Sequence, residues 1–566
     1  KMSSTNKLKF QSKQEDSEIQ PLFIDQLDKK EIIHPIQLHV KTIIIVGCTH
    51  AGTLAAITLR SLDKDCRIVV FEKNPVISFL SCGIHLAVNK TCTDQSKMFY
   101  NSPQTLRKMN IEVYCESQVE NVDYASHIVN SSIQEEKIQF KFDKLIISSG
   151  SSPMIPPIIQ NVNYKNSVEN QIRGMKRILL AKNYADSLKL AKLIKPQRIC
   201  IIGAGLIGME LAGAFVDVGS HVTVIDHGER MLNKYFDEEY TNILTELSQN
   251  LKLLMLCNAR VSRMAESLTE VIVLAEQKVG KLIKNIQLTF DYVVLCSGLK
   301  ANTKFAQTPE LNSQMDVIIT DKLCHTSIAD VYAIGDCAST YSHVLQTNTY
   351  NPLATHAMRH GLIAAYDISG LQLPYAGTNG TCALQIFNYS MATTGLLVQD
   401  AQRKFPNIQR VIHSDYLYHH YCHKKIERVV QKEVLSKCFN IHGDIVRRLA
   451  DQIVDSYELE AETQDDQIVS VSICYSAQTG KIFGAQAMGK QDITQAVNAL
   501  SIAVSLDVLL DEIAQMDLGG QCGEEKPWNV LAVTAASRDL EIVDFEPQED
   551  EDLDLDMGPE SSEFEL

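Results

Sequence analysis

The sequence predicts an α/β fold built on two Rossmann-like dinucleotide-binding units, on three observations. Two short apolar runs rich in β-branched residues, Thr42–Val46 and Arg198–Ile202, each lead into a glycine turn and a helix-like segment. Each unit then continues into a second run that ends on an acid, Glu72 in the first and Asp226 in the second. Strand, tight glycine turn, helix, strand and terminal acid are the parts a βαβ unit needs to hold a dinucleotide. Finding the whole arrangement twice makes a chance pair of ligand-free turns a poor explanation.

Length and composition bound the rest. At 566 residues the chain has room for three or four domains, and 45% hydrophobic residues suit a globular protein. Nothing approaches 18 consecutive apolar residues, so no transmembrane helix is expected. The start, Lys1–Asn6, is polar without an apolar core, which argues against a secretory signal. Glu15, Asp16 and Glu18, with no arginine before residue 41, argue against a mitochondrial presequence. The 15 cysteines form no CxxC pair, which points to reduced thiols and a cytoplasmic protein. The net charge of −16 is concentrated: thirteen acids and no base lie between Asp539 and Leu566, leaving the body at −3. A nearly neutral body gives no electrostatic case for nucleic acid. Residues 538–566 are expected to be a disordered acidic tail, either solubilising or docking a protein partner.

Residues 1–40 read as a flexible extension. Thr42–Val46 is a continuous apolar run, the mark of a buried parallel strand. It enters Gly47-Cys48-Thr49-His50-Ala51-Gly52, where Gly47 permits the turn and Gly52 permits close helix–strand packing. The following helix offers free N–H groups to a pyrophosphate, and Glu72 can accept from ribose hydroxyls. Thr49 stands where the middle glycine of the motif belongs. The second unit carries the full motif at Gly203, Gly205 and Gly208. Asp226 would bond a ribose 2′-hydroxyl and repel a 2′-phosphate, and Arg230 is not adjacent, so NADH is favoured over NADPH. Lys144–Gly150 reads as a strand with a small-residue turn, matched in the second unit by Asp291–Gly298. Asp330–Asp336 reads as a strand ending in Gly-Asp, whose carboxylate can hold the ribityl hydroxyls of a flavin.

Cys82 lies roughly ten residues past Glu72. Ile77 and Ala87 occupy the positions five away on either side, so a CxxxxC disulfide is excluded there. A lone thiolate near a redox cofactor cycles instead through a sulfenic acid or a mixed disulfide. His419-His420-Tyr421-Cys422-His423 has no second ligand cluster at finger spacing, so no metal is expected. Cys522 reads as a small loop residue.

With these residues in view, the chain resembles the FAD-dependent pyridine-nucleotide:disulfide oxidoreductases, and within them the water-forming NADH oxidases and NADH peroxidases. The segments that carry the likeness are Gly47–Thr53, Ile77–Gly83, Lys182–Tyr184, Leu232–Tyr235, Asn351–Thr355, Asp492–Gln495 and Lys526–Asn529. The resemblance implies two Rossmann-like domains plus a C-terminal α+β dimerisation domain, and a homodimer. It places an FAD-binding domain at 41–160 and 300–372, an NAD-binding domain at 161–299 and the interface domain at 373–537. It implies Cys82 as the redox thiolate or sulfenic acid, with a protonated His50 nearby lowering its pKa. Glu72 and Lys73 would bind FAD at its adenosine end and Asp336 at its ribityl chain, with Gly47, Gly52, Gly150 and Thr355 also serving cofactor binding. Tyr184 would lie where nicotinamide docks and Glu210 near it, with Gly203, Gly205, Gly208, Asp226 and Gly298 completing the cofactor set.

The implied activity is oxidation of NADH with reduction of dioxygen to water. NADH peroxidase and coenzyme A-disulfide reductase are the alternatives within the class, with peroxide as a rival substrate. A flavin-retaining regulatory or interaction protein is the alternative outside it. Two departures favour that last reading: helix-compatible extra sequence near 424–466, and Leu518–Gly523 where the family has an aromatic-rich run. The extra sequence is expected to be a helical insertion, with a protein partner as its sharper explanation.

Overall fold

The computed structural model describes residues 40–133, 136–165, 167–314, 316–416, 468–518 and 530–537. The N-terminal extension up to residue 39, the insertion, the His419–His423 run, residues 519–529 and the acidic tail lie outside the described residues. No helix among the described residues is long and apolar enough to cross a membrane.

The fold is mixed α/β, with two five-stranded parallel sheets, one five-stranded antiparallel sheet and smaller antiparallel sheets among the described residues. The first parallel sheet has five strands in the order Val331–Ala333, Lys144–Ile147, Thr42–Val46, Arg67–Phe71 and Ile111–Tyr114. Its central strand is apolar along its length because helices and sheet cover both faces: Ile43, Ile44 and Ile45 are buried. Val46 pairs with Phe71 on one side and Ile147 on the other, so the strands end level. Gly47, Glu72 and Ser148 therefore emerge together at the carboxyl edge, where such sheets bind ligands. Helix His50–Leu62 lies against helix Ala354–Ile368, and the approach is so close that a Cβ on Gly361 would meet the Ala51 carbonyl at 2.5 Å.

The second parallel sheet repeats the plan in the order Leu253–Leu256, His221–Ile225, Arg198–Ile202, Tyr292–Leu295 and Ile178–Leu180. Ile202 pairs with Ile225 and Leu295, so its ends also align. An antiparallel sheet follows, in the order Cys382–Ile386, Tyr389–Gly395, Ile482–Gly489, Ile468–Ser476 and Ile408–Tyr416. Its central strand Ile482–Gly489 is buried throughout. Ala485 and Ala487 pack with Val497 and Leu500 of helix Thr494–Ser505. Met488 packs on the other side with Phe215 and Tyr240 of the second nucleotide unit. A buried polar latch fixes that contact: Asp237 N donates to Gln486 Oε1 at 2.9 Å, and Gln486 Nε2 donates to Asp237 Oδ2 at 2.6 Å. Both partners are satisfied, so the burial of this polar pair is tolerated.

The segment 417–467 leaves the sheet at Tyr416 and returns at Ile468, and those two residues are a cross-strand pair. A two-residue hairpin turn can join such a pair. Replacing 417–467 by Asn-Gly should therefore preserve the fold. It should raise the melting temperature by a few degrees, because closing a shorter loop costs less entropy. A molten or insoluble product would contradict this.

An imidazole clip ties the first sheet to helix Ala354–Ile368. His325 Nδ1 lies 2.9 Å from Asp321 Oδ2 and Nε2 lies 2.7 Å from Asp367 Oδ2, where Tyr332 OH also donates. Burial alone would lower the His325 pKa, but the two carboxylates outweigh it and raise the value above the usual 6.5. The clip's contribution is fully present below the unfolded-state pKa and is lost as pH rises through the raised one. His325→Gln should cost stability at pH 6 and almost nothing at pH 9. The loss should be under about 1 kcal/mol, since the ring is partly exposed and screened. Urea melts at the two pH values check the sign.

Candidate functional site

Both glycine turns are built alike. A Cβ on Gly47 would clash with the Ser148 carbonyl, and one on Gly203 with the Cys296 carbonyl. A Cβ on Gly52 or Gly208 would strike the carbonyl of the unit's first glycine. These four glycines serve chain packing. Gly205, Gly150 and Gly298 differ, since a Cβ there would meet nothing within 4 Å. They border open space at the sheet edges, which is the room a dinucleotide needs to approach a backbone. The residues present thus fit two nucleotide cofactors.

The terminal acids brace the turns. Cys48 N donates to Glu72 Oε2 at 2.9 Å, and Ala204 N donates to Asp226 Oδ2 at 2.7 Å. The other oxygens accept from Asn74 N at 2.9 Å and Gly228 N at 2.6 Å. Lys73 is exposed beyond Glu72 and helps hold down the pKa of Glu169. Thr355 is exposed in the first turn of helix Ala354–Ile368.

Cys82 occupies a single 3₁₀ turn, Ser81–Gly83, ahead of the short helix Ile84–Val88. Its thiol is free and exposed. The loop that delivers it is anchored from below. Ser78, in a left-handed conformation at φ 56, donates its N–H to Cys48 O at 2.9 Å and shares a 2.8 Å hydrogen bond with Thr53 Oγ1. The redox loop is thereby tied to the first glycine turn.

The electrostatics differ from the sequence expectation. His50 is not a protonated neighbour: burial lowers its pKa, opposed by Asp336, while Lys182 disfavours its charge. The Cys82 thiol is raised, first by the desolvating walls of its cleft and then by the Glu210 carboxylate, with Lys182 pulling the other way. The helix after Cys82 is only five residues long and supplies little dipole. Tyr100 neighbours both expected residues. Its ring is 5.5 Å from that of His50, and its phenol is raised by burial, then by Cys48 and Cys82. His50 Nε2 is buried without a partner among the described residues, as befits an atom that meets a ligand.

Three further residues join the site that motif reading did not supply. Lys182 Nζ donates to Ser151 Oγ at 2.9 Å and to Asp336 Oδ2 at 3.3 Å, and Ser151 Oγ donates to the same Asp336 oxygen at 2.6 Å. Burial would raise the Asp336 carboxyl, but Lys182 and Ser151 hold it below its usual range. His85 Nδ1 lies 3.7 Å from Glu210 Oε2, and its ring also bonds the Cys82 backbone. Glu210 is pushed up to about 7 by burial. It lines a cavity of about 460 Å³ with Leu384, Gln385, Lys490 and Asp492. Tyr184 opens the helix Tyr184–Leu190, where Asn183 and Asp186 form a capping box, and packs on Phe79 and Phe99 at 5.5 and 4.9 Å. Lys182 was within a recognised segment, Lys182–Tyr184, but nothing local linked it to Asp336, 154 residues away.

Two sheets of dinucleotide-binding topology, with an unpaired thiol at a cleft beside them, define an oxidoreductase that uses two nucleotides. Residues 41–361 match the family described as pyridine nucleotide-disulphide oxidoreductase, and the chain belongs to that family. It is similar to the NADH oxidase of Enterococcus faecalis, 28% identical over 499 residues that cover 87% of this chain and 98% of that protein. Among solved structures it is similar to the water-forming NADH oxidase from Lactobacillus brevis bound to NADH. The identity is 27%, the TM-score 0.73, and the match covers 88% of this chain and 98% of the other. An engineered water-forming NADPH oxidase made from that enzyme, bound to NADPH, matches with 27% identity, TM-score 0.72 and the same coverage.

Glu210→Gln removes the carboxylate that faces Cys82 without changing its size. The thiol should then ionise at lower pH, which the pH profile of iodoacetamide labelling at Cys82 measures. The difference from the unmodified protein should vanish below pH 6, where Glu210 is already neutral. Superimposed profiles across the range would show that the two groups do not interact.

Proposed function

We propose that the chain is an FAD-dependent NADH oxidase that reduces dioxygen to water with Cys82 as its single redox-active residue. The observation that carries this reading is the free, exposed Cys82 thiol, set among Glu210, Lys182 and Tyr100 beside two nucleotide-type sheets. The likeness to NADH oxidases over most of the chain supports it. In this reading residues 41–160 and 300–372 bind FAD through Gly47, Gly52, Glu72, Lys73, Gly150, Asp336 and Thr355. Residues 161–299 bind NADH through Gly203, Gly205, Gly208, Glu210, Asp226 and Gly298.

Bound flavin supplies the two-electron chemistry between NADH and dioxygen. Tyr184, braced by Phe79 and Phe99, orients the nicotinamide end and keeps water out. His50, neutral through burial, handles a proton at Nε2. The Cys82 thiolate attacks the O–O bond of hydrogen peroxide, giving a sulfenic acid and hydroxide, and the hydroxide takes a proton to become water. The hydride equivalent of a second NADH returns the sulfenic acid to thiolate and releases its oxygen as water.

The acid in the second unit supports NADH rather than NADPH. The engineered NADPH oxidase replaces a glycine and, 18 and 19 positions later, an aspartate by alanine and an alanine by arginine. Gly208 precedes Asp226 and His227 by the same spacing, so this chain keeps the acid that the engineered enzyme lost. Residues 373–537 are the homodimer interface in this reading. Ile502 at 61% and Leu506 at 71% exposure, at the end of helix Thr494–Ser505, supply apolar surface for it. The insertion and the acidic tail are left to a protein partner.

Cys82→Ser keeps the size but not a group that can reduce peroxide. The variant should retain FAD and NADH consumption while its product shifts from water to hydrogen peroxide. NADH consumed per dioxygen should fall from about two to about one, by the electron count of a flavin–thiol pair. Trapped peroxide in a coupled assay reads the change. Water formation without peroxide in the variant would remove Cys82 from the second stage.

A further inference from the structure

Helix Ala354–Ile368 carries Thr355 exposed on its first turn, and the next residue, His356, is buried. Both ring nitrogens of His356 have partners: Nδ1 lies 3.3 Å from the Asn351 carbonyl and Nε2 lies 2.5 Å from Thr378 Oγ1. A carbonyl only accepts, so Nδ1 carries the proton and Nε2 accepts from the Thr378 hydroxyl. The threonine oxygen accepts in turn from Gly380 N at 2.8 Å. Burial lowers the His356 pKa, which suits the neutral ring this arrangement requires. One turn further on, Gly335, the residue before Asp336, donates its N–H to His360 Nδ1 at 3.4 Å. Thr378 is itself pinned by its main chain, donating to Tyr341 O at 2.8 Å and accepting from His343 N at 3.0 Å. Asn379, the next residue, reaches a different element. Its Nδ2 donates to Ser501 O and to Ser505 Oγ, each at 2.8 Å, on helix Thr494–Ser505. Its Oδ1 is buried without a partner among the described residues, so the amide is held through Nδ2.

A chain of partners therefore runs from the helix turn that bears Thr355, through His356 and Thr378, to Asn379 and the helix of the antiparallel-sheet domain. Buried polar groups linked in series hold one another in place, and the loss of one member loosens the rest. We propose that His356 is a positioning residue for the flavin, and that Thr378 and Asn379 anchor it to helix Thr494–Ser505. His356 fixes the entry of helix Ala354–Ile368 by holding the Asn351 carbonyl, and the antiparallel-sheet domain supplies the fixed point. None of the three touches the flavin in this assignment; they act through the turn that does. The inference rests on reading Thr355 and Asp336 as flavin-binding residues. It goes further by making the grip on the flavin depend on two residues outside residues 300–372.

The test uses the flavin-loaded full chain and follows flavin release after dilution by the fluorescence of the freed cofactor. The proteins are the unmodified chain, Thr378→Val, Thr378→Ser, Asn379→Ala and the Thr378→Val/Asn379→Ala pair. Valine keeps the shape of threonine without the hydroxyl, and serine keeps the hydroxyl. Release should be roughly three- to tenfold faster in Thr378→Val, the weight of one hydrogen bond. Thr378→Ser should restore the unmodified rate. Asn379→Ala should also speed release, although it breaks the chain at its far end. The double variant should be no faster than the faster single one, because members of one series are not additive. The affinity of the loaded proteins for NAD+, measured by calorimetry, should stay unchanged, since the second unit is not part of the series. Equal release from the unmodified chain and both single variants would overturn the assignment. So would a serine variant as fast as the valine one, effects that multiply in the double variant, or NAD+ affinity that falls in step with flavin retention. If Thr378→Val does not fold, Asn379→Ala decides by the same two readouts. An unmodified chain that holds no flavin would defeat the flavin reading itself, and the assignment with it.

Discussion

The ion pair between Lys182 and Asp336 is the link on which the site's geometry depends. Lys182 comes two residues after the edge strand of the second sheet, and Asp336 three residues after the edge strand of the first. Their contact, with Ser151 bridging both, joins the two nucleotide units at one oxygen. Burying such charges is costly, and only the completeness of the pairing offsets it. Both side chains are half-buried, so loss of either partner would leave the other charge only partly solvated and unpaired. That penalty discourages the two sheets from separating. It also keeps an anion and a cation in the neighbourhood of His50, which burial has already made neutral.

A second constraint lies within each unit. The residue after the first glycine donates its N–H to the terminal acid, Cys48 to Glu72 and Ala204 to Asp226. An acid there is usually explained by the ribose it will bind. In this chain it also stiffens the turn before any ligand arrives, because a charge-assisted hydrogen bond to a buried N–H is stronger than a neutral one. Pre-organising the turn lowers the entropy lost when a pyrophosphate docks. The acid therefore contributes twice, once to the protein and once to the ligand, and a substitution there should be read as affecting both.

How much of this was legible in the sequence follows from where each signal resides. Thr42–Val46 and Arg198–Ile202 were read to the residue, since a strand buried on both faces must be continuously apolar. Helix His50–Leu62 takes in the second half of the first glycine motif, so the turn itself is short. Lys182 and Asp336 are 154 residues apart, and no local pattern announces that they meet. The His85–Glu210 contact and the place of Tyr100 were hidden for the same reason: they arise where separate units pack. The charge of His50 was misjudged because the resemblance supplied a neighbour but not its burial, and desolvation decides which protonation state survives. The site's residue types were thus largely visible, while their protonation states were not.

Cys82 shows why that distinction matters. A thiol's reactivity follows its thiolate fraction, so a redox cysteine is expected in an electropositive setting. Here the setting is mixed: Lys182 favours the thiolate, whereas the cleft walls and Glu210 oppose it. The acidity of Cys82 is consequently a property of the group around it rather than of the residue. Glu210 changes charge near neutral pH, and the same carboxylate acts on Cys82 and on Cys382 of the antiparallel sheet's edge strand. When Glu210 is ionised it adds to the desolvation that keeps the thiol protonated, and when Glu210 is neutral desolvation still opposes the thiolate while Lys182 partly offsets it. The charge state of Cys82 therefore follows the walls of its cleft and its neighbours Glu210 and Lys182, not the cysteine alone.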